Sequence, residues 1–231
     1  MNTKNTVKKA FVATIPVMAG YTVLSIGFGI LLESKGFGVL WGLAMSVFIF
    51  AGSMQYLAID LLSSGVSLIT AALTTLLVNA RHLFYGISMI DKYKNTGWKK
   101  PYLIFALTDE TYSLNCTKLP EDIDNPPLYY FLVSLFNQCY WVIGTVIGSF
   151  IGKILPFSTR GIDFALTALF ITVFVEQWKT TRNHKPAIIG IISSLICLLI
   201  FKADNFLIPS MILITFLLTI DKKMKRGEDN A

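Results

Sequence analysis

The sequence predicts an all-α fold, a polytopic transmembrane helix bundle of about seven or eight segments that forms one integral membrane domain over residues 1–231. Of the 231 residues, 54% are apolar and 15% are charged, and the mean hydropathy is +0.61. A soluble domain carries about 25% charged residues. The net charge of +6 lies in short clusters between apolar runs. This placement predicts anchoring to membrane lipid and no nucleic acid partner.

Eight apolar runs, numbered in chain order as segments one to eight, are candidate membrane spans. Segments one, two, three and five are long enough to cross a hydrocarbon core of about 30 Å, and the other four are shorter. The eight segments cover residues 10–32, 38–62, 66–90, 102–117, 128–151, 161–178, 187–201 and 206–220. Segment one follows Lys8 and Lys9. It is too long for a cleaved signal peptide, so we expect it to remain as a membrane helix.

The distribution of Lys and Arg predicts the orientation only weakly. If all eight segments cross and the N-terminus is cytoplasmic, the cytoplasmic side receives 11 basic residues and the other side receives 8. Residues 92–100 contribute four of those 8. The excess favours cytoplasmic termini, because basic loops are retained on that side.

Residues 65–73 and 161–169 share Gly, Ala and Leu at equivalent positions with a constant offset of 96 residues. One interpretation is an inverted repeat that relates segment three to segment six, as in many secondary transporters. The other is chance recurrence of small and apolar residues in membrane helices. The sequence leaves both interpretations open.

Segment three combines a spanning length with a polar face. On a helical wheel with Asn79 at zero, Arg81, Tyr85 and His82 fall between about 200° and 300°, while the arc from about 20° to 160° holds only Ala, Leu, Phe and Ile. Lipid offers Arg81 and His82 no hydrogen-bond partner. We therefore expect this face to turn toward the bundle interior or a watery cavity.

Asp109 and Glu110 interrupt the apolar run of segment four. Adjacent helical residues point about 100° apart, so the two acids are expected to have different roles. We predict that Arg81 pairs with one acid, which offsets much of the cost of burying either charge, and that the other acid is able to titrate. Two alternatives remain: a purely structural clamp, or acids that lie at the membrane interface because segment four is short.

Other polar or small residues mark the interior of segments two and six. Gly52 and Ser53 permit close backbone approach, and Gln55 offers donor and acceptor groups at membrane depth. Asp163 stands near the start of segment six, where it either joins the polar interior or lies at the interface. The three cysteines have no paired spacing. We therefore expect no disulfide, metal site or cofactor.

Four stretches carry a resemblance to a known family: FAGSMQY at 50–56, NARHLFYG at 79–86, ALTDE at 106–110 and DFALTALF at 163–170. In this order they resemble the AzlC family of bacterial branched-chain amino acid exporters, and the resemblance extends to about residue 186. It implies a multi-pass permease of the bacterial inner membrane that works with a small AzlD-type membrane subunit. Asn79 departs from similar proteins in which an acidic residue precedes the Arg-His pair.

Together, the residues and the resemblance predict a secondary carrier, not an enzyme, that exports branched-chain or related hydrophobic amino acids with proton coupling. Arg81 is the candidate ligand of the substrate carboxylate, and Asp109 or Glu110 is the candidate partner of its ammonium group. His82, or the acid that Arg81 leaves unpaired, is the candidate for coupling. The other candidate binding residues are Gly52, Ser53, Gln55, Asn79 and Tyr85, and Asp163 is a further candidate for the ion pair or coupling.

Two other functions are kept as alternatives. Ser53 and His82 would suit an intramembrane serine hydrolase, although the sequence holds no HExxH, GxGD or GxSG motif. A passive small-solute channel also fits, since selectivity filters need few residues. Uphill flux driven by an imposed proton gradient separates a carrier from a channel.

Overall fold

The computed structural model describes residues 3–121, 123–154 and 183–228, together with eight positions between 164 and 179. All regular structure in these residues is helical, as predicted. The helices are α1 (Thr3–Ser34), α2 (Gly38–Phe48), α3 (Gly52–Ser64), α4 (Leu68–Tyr93), α5 (Lys100–Phe105), α6 (Asp109–Asn115), α7 (Pro126–Ile154), α8 (Lys185–Asn205) and α9 (Leu207–Glu228). Asp163 and most of residues 161–169, one copy of the suggested repeat, lie outside the described residues.

The chain divides into two compact units, Met1–Leu169 and Phe170–Ala231. The second unit contains α8 and α9, which pack against each other. Three helices in the described part of the chain are long and apolar enough to cross a membrane: α1, α7 and the Lys185–Lys202 part of α8. They coincide with segments one, five and seven, and the predicted total of seven or eight crossings is not confirmed.

A parallel pair of helices, α1 and α7, forms the centre of the first unit. Phe11 packs edge-on against Phe136, with ring centroids 5.8 Å apart. Toward the other end of the pair, Gly152 of α7 lies against Ile30 of α1. We call the end at which α1 and α7 begin the near end, and the opposite end the far end.

Glycines allow α1 and α7 to approach closely. A β-carbon at Gly148 would collide with the carbonyl oxygen of Ile26, and one at Gly144 would collide with the hydroxyl of Ser25. Small residues at spacing four on one face are a common packing device between membrane helices. The α1–α7 pair is therefore a tight scaffold on which the remaining elements of the unit are built.

Helix α4 runs in the opposite direction and is 26 residues long, or about 39 Å. At its C-terminal end, the Tyr93 ring lies 5.6 Å from that of Tyr130 in the first turns of α7. Met89 and Tyr93 also share a buried cluster with Ala10 of α1. These contacts place the end of α4 at the near end.

The apolar arc predicted for segment three is exposed along α4, as expected for a lipid-facing surface. Its exposed members are Leu73, Leu76, Leu83, Phe84, Ile87 and Ile90. Arg81 and His82 on the opposite face are only partly exposed. Helix α4 therefore presents its polar face to the rest of the first unit.

Segment two, predicted as one crossing over 38–62, is instead broken into α2 and α3. Gly42 of α2 lies beside Ser149 of α7, and the carbonyl of Val47 accepts from Gln138 Nε2 at 3.1 Å. Helix α2 therefore enters at the far end and descends along α7 to its middle. Gln138 there satisfies a carbonyl that the end of the helix leaves without an intrahelical partner.

After the break at 49–51, α3 returns to the far end. Phe50 has a left-handed backbone with φ of 44°. The Tyr56 hydroxyl of α3 then donates to the Leu24 carbonyl at 2.6 Å, and its ring lies 5.5 Å from that of Phe28. The prediction of a continuous crossing was wrong, because apolar length does not record a reversal of direction. We call α2–α3 the first hairpin.

Segment four, predicted as one crossing over 102–117, is also broken, at residues 106–108. Tyr102 of α5 donates to Gln138 Oε1 at 2.7 Å near the middle of α7. Asn115 at the end of α6 donates to the Tyr93 hydroxyl at 3.0 Å, back at the near end. This second hairpin, α5–α6, therefore enters and leaves at the near end, and the predicted crossing was wrong for the same reason.

The tips of the two hairpins meet at mid-depth in the first unit. The ring of Phe50 lies 6.5 Å from that of Phe105, and Phe50 and Ala106 belong to one buried cluster with Tyr21 and Trp141. Both returning half-helices, α3 and α6, begin here. Broken helices are tolerated at membrane depth where they line a protein interior, and transporters place binding sites at such breaks.

Candidate functional site

Arg81 of α4 joins the starts of the two returning half-helices. Its Nη1 lies 2.8 Å from Asp109 Oδ2, and its Nη2 donates to Ser53 Oγ at 3.0 Å. Asp109 opens α6, and Ser53 lies in the first turn of α3. The Arg81 and Asp109 side chains are 31% and 22% exposed. The ion pair is therefore largely withdrawn from solvent, where removal of one partner is costly.

The two acids point to different partners, in agreement with the predicted angle between them. Glu110 Oε2 accepts from the Tyr21 hydroxyl at 2.6 Å, and the same hydroxyl lies 2.7 Å from Thr108 Oγ1. Thr108 in turn caps α6 by accepting from the Thr111 backbone N–H at 3.3 Å. No ion pair joins Glu110 to a Lys or Arg of the described residues.

Three buried polar atoms on Arg81, Asp109 and Asn79 make no hydrogen bond within the described part of the chain. They are Arg81 Nε, Asp109 Oδ1 and Asn79 Oδ1. The Asn79 amide nitrogen is occupied, because it donates to the Thr75 carbonyl at 2.9 Å. An unpartnered buried polar atom costs about 1–3 kcal/mol. One donor and one acceptor of the ion pair itself are thus held unpartnered, at a cost, and a further acceptor is unpartnered on α4.

His82 and Tyr85 lie beside this cluster on α4. His82 Nδ1 is 3.1 Å from the Asn79 carbonyl of its own helix, and its ring centroid is 5.7 Å from that of Tyr85. Tyr85 stacks on Tyr112 of α6 at 4.3 Å. Tyr85 therefore links α4 to α6, while the role of His82 in coupling stays a prediction.

Gly52 and Gln55 are not joined to Arg81. A β-carbon at Gly52 would come within 2.8 Å of the Trp141 ring, so this glycine allows α3 to start against α7. Gln55 is fully buried and donates to Ser46 Oγ at 3.3 Å, and its Oε1 makes no hydrogen bond to a described residue. Gln55 therefore belongs to a second polar network inside the first hairpin, and its contact with substrate stays a prediction.

The AzlC protein family matches residues 16–155, which include both hairpins and α4. The chain belongs to the AzlC family. The branched-chain amino acid transport protein AzlC of Bacillus subtilis (strain 168) is 44% identical over 217 residues, which cover 94% of this chain and 85% of that protein. An uncharacterized membrane protein of Helicobacter pylori (strain ATCC 700392 / 26695) is 41% identical over 216 residues, covering 94% and 95%.

A further relative is inner membrane protein YgaZ of Escherichia coli (strain K12). It is 29% identical over 182 residues, which cover 74% of this chain and 72% of that protein. No solved structure matches the chain. The resemblance drawn from the four stretches is therefore confirmed. The matched region contains every candidate site residue except Asp163.

Three residues around the candidate site of this AzlC family protein were missed from the sequence: Tyr21, Lys92 and Trp141. Tyr21 binds Glu110 across 89 positions of sequence, and Lys92 Nζ donates to the carbonyls of residues 115, 116 and 117. Tyr, Trp and Lys are frequent near the ends of membrane helices, so their residue type gives no signal. Their roles appear only when the hairpins are placed against α1, α4 and α7.

The described residues of this AzlC family protein contain no group of three or more His, Cys, Asp or Glu side chains that could hold a metal ion. Cys116, Cys139 and Cys197 are free thiols. The side chains of the Arg81 cluster offer charge pairing and hydrogen bonding.

Proposed function

We propose that this AzlC family protein is a secondary carrier that exports branched-chain amino acids, or related hydrophobic amino acids, across the bacterial inner membrane. The observation that carries the proposal is the unpartnered donor of Arg81 and the unpartnered acceptor of Asp109 within one ion pair. A zwitterionic amino acid has a carboxylate and an ammonium group on one carbon. It supplies the two partners that these atoms lack.

Arg81 binds the substrate carboxylate in this proposal. Its guanidinium uses Nη1 for Asp109 and Nη2 for Ser53, so Nε and the remaining N–H groups are available for a charge-assisted pair. Helix α3 begins beside it without a side-chain cap. The N-terminal N–H groups of this 13-residue helix add positive potential on the same side.

Asp109 Oδ1 binds the ammonium group in this proposal, since it is an acceptor without a partner in the described residues. Contact of Asn79 with the substrate stays a prediction. The apolar side chain of valine, leucine or isoleucine then extends toward the cluster at the hairpin tips, which includes Phe50, Tyr21 and Trp141. Burial of a leucine side chain against such a surface contributes about 1.5–3 kcal/mol. This contribution favours hydrophobic amino acids over polar ones.

Glu110 is our candidate for proton coupling, because its partner is the Tyr21 hydroxyl and no described cation is paired with it. A carboxyl group hydrogen-bonded only to a hydroxyl can carry a proton without breaking an ion pair. The substrate carboxylate and Asp109 also compete for Arg81. This competition would couple substrate binding to a change in the contact between α4 and the second hairpin.

The AzlC resemblance also implies a small AzlD-type membrane subunit, and we propose such a partner for this chain. The inner-membrane location is proposed on the names of relatives, one of which is inner membrane protein YgaZ. The hydrolase alternative loses its chemical basis, because Ser53 Oγ accepts from Arg81 while His82 Nδ1 faces the Asn79 carbonyl. No Ser–His hydrogen bond is formed between these two residues.

The test is leucine flux in proteoliposomes that contain the purified protein, with the small subunit included in a parallel preparation. We expect uphill leucine movement driven by an imposed proton gradient, which a passive channel cannot produce. We expect the Arg81→Ala and Asp109→Asn double variant to lose this flux. Two exposed charged residues at the C-terminal end of α4 provide matched controls, in the variants Lys94→Ala and Asp91→Asn. Unchanged flux in the double variant would contradict the proposal.

Direction is tested in cells exposed to toxic leucine analogues with and without expression of the protein. Export predicts resistance confined to branched-chain analogues. Increased sensitivity would show uptake instead.

A further inference from the structure

Lys92 holds the C-terminal end of α6 with all three of its ammonium donors. Its Nζ lies 2.9 Å, 2.7 Å and 2.8 Å from the carbonyl oxygens of Asn115, Cys116 and Thr117. These carbonyls belong to the last turn of α6 and the residues after it, where a helix has no further N–H groups to accept from. A cation at this position also interacts favourably with the negative end of the helix dipole.

Helix α6 depends on such contacts because it has only seven residues. An isolated helix of that length is not stable in water or as a free segment. Arg81 holds its first residue, Asp109, and Lys92 holds its end. Between them, Ser88 of α4 donates to the Tyr112 hydroxyl at 3.1 Å. Helix α4 therefore contacts α6 near its start, its middle and its end.

We propose that Lys92 is a positioning residue for transport: it fixes α6 so that Asp109 and Glu110 face the substrate and Tyr21. The inference rests on the proposed function, which assigns Asp109 and Glu110 to substrate and proton. Lys92 does not touch the substrate in this account. It acts through α6, about 10 Å from the Arg81 pair if α6 rises by 1.5 Å per residue from residue 109 to residue 116.

The test compares Lys92→Met, which removes the three donors and keeps the apolar stem, with the conservative Lys92→Arg variant. Lys94→Met is the control, since Lys94 is an exposed lysine two residues away. Alkylation of the native, exposed Cys116 reports the order of the α6 end. The KM for leucine and the maximal rate are measured in proteoliposomes, and protein stability is measured by thermal unfolding.

We expect Lys92→Met to accelerate Cys116 alkylation and to raise the KM by about tenfold or more, because a misplaced binding group weakens binding steeply. Lys92→Arg should restore part of both values. A lowered maximal rate with an unchanged KM would indicate a merely structural role and would overturn the inference. Unchanged alkylation would overturn it too. If wild-type protein moves no leucine, the proposed function fails, while the alkylation comparison still decides whether Lys92 orders α6.

A different observation, the placement of basic residues, assigns the orientation of the first unit. The near end carries eight Lys residues of the described chain: Lys4, Lys8, Lys9, Lys92, Lys94, Lys99, Lys100 and Lys118. The far end carries two, Lys35 and Lys153, and Arg160 lies outside the described residues. With eight crossings, the two sides carried nearly equal numbers of basic residues, 11 and 8. The hairpins remove this near equality because they bring residues 92–100 to the end where α1 begins.

We infer that the near end faces the cytoplasm, because short basic loops are retained on that side. The second hairpin then enters from the cytoplasm and carries Asp109 and Glu110. The first hairpin enters from the outside and carries Ser53. The Arg81 site lies between two re-entrant hairpins that enter from opposite sides of the membrane. Each hairpin therefore lies between the site and one side of the membrane.

Cysteine accessibility tests the orientation without reference to transport. In a background with Cys116, Cys139 and Cys197 replaced by Ser, the Ser64→Cys and Asn95→Cys variants are treated with a membrane-impermeant maleimide in intact and permeabilised cells. Both positions are exposed. We expect Ser64→Cys to react in intact cells and Asn95→Cys to react only after permeabilisation.

Lys35→Cys and Thr117→Cys serve as controls, since re-entrant hairpins and eight crossings place them alike. In intact cells, reaction of Asn95→Cys and Lys35→Cys without reaction of Ser64→Cys would show that segments two and four cross the membrane completely. Reaction of Thr117→Cys and not Lys35→Cys would reverse the orientation. Either result overturns the inference.

Discussion

Arg81 uses two of its nitrogens to join the hairpin tips, and its Nε has no partner in the described residues. Asp109 likewise uses one oxygen for Arg81 and leaves the other unpartnered. A structural clamp would be expected to satisfy both groups, because a half-satisfied buried network is costly. We therefore interpret the pair as a binding site in which charge and hydrogen-bonding capacity are kept for an amino acid.

At the same scale, Glu110→Gln removes a titrating group and keeps an oxygen that accepts from the Tyr21 hydroxyl. We expect leucine exchange across the membrane to stay within about twofold of wild type, while accumulation driven by a proton gradient falls by about tenfold. Counterflow and gradient-driven uptake in the same proteoliposomes measure the two quantities. Asp91→Asn, an exposed acid at the end of α4, is the control. Gradient-driven accumulation that survives in the Glu110→Gln variant would remove Glu110 from the coupling step.

At the scale of elements, the site is made by the places where helices stop. Thr108 caps α6, and Gln138 accepts from Tyr102 while it donates to the carbonyls of Ser46 and Val47. One side chain on α7 therefore supports a hairpin on each side. The break of the first hairpin is supported because backbone carbonyls at the end of α2 find a partner on α7.

The scaffold itself depends on glycine contacts, and Gly148→Leu tests them. The new side chain would collide with the Ile26 carbonyl. Overpacking of this kind costs about 1–3 kcal/mol, which lowers the melting temperature of a chain of this size by roughly 3–10 °C. Gly86→Ala is the control, because nothing lies within 4 Å of its added β-carbon. Thermal unfolding in detergent measures both variants, and equal melting temperatures would show that the close approach of α1 and α7 contributes nothing.

How far the sequence predicts these elements follows from what each signal measures. The 3.6-residue period of segment three correctly separated the polar face with Arg81 from the exposed apolar arc, because periodicity records which side is buried. Apolar length did not reveal the reversals at 49–51 and 106–108, which are fixed by contacts such as that between Val47 and Gln138, 91 residues apart. One signal of the reversals was available in the sequence. With eight crossings, the basic residues at 92–100 fell on the side opposite the basic termini, which the positive-inside rule disfavours.

At the scale of the whole molecule, two hairpins of opposite direction meet at one charged cluster inside the first unit. If the proposed site binds substrate between these two hairpins, access from one side at a time is possible, which a carrier needs. The AzlC match over residues 16–155 covers this arrangement. The same region therefore contains the proposed site, both hairpins and the scaffold that supports them.

The central claim is that Arg81 and Asp109 together recognise the two charges of one amino acid. The most direct measurement is the ratio of the affinities for leucine and 4-methylpentanoate, which lacks the amino group, determined calorimetrically for wild type and Asp109→Asn. The account predicts a preference for leucine of about 100-fold or more in wild type, because the analogue leaves the Asp109 oxygen unpaired. It predicts that the preference falls to a fewfold in the variant. An equal ratio in the two proteins would contradict it.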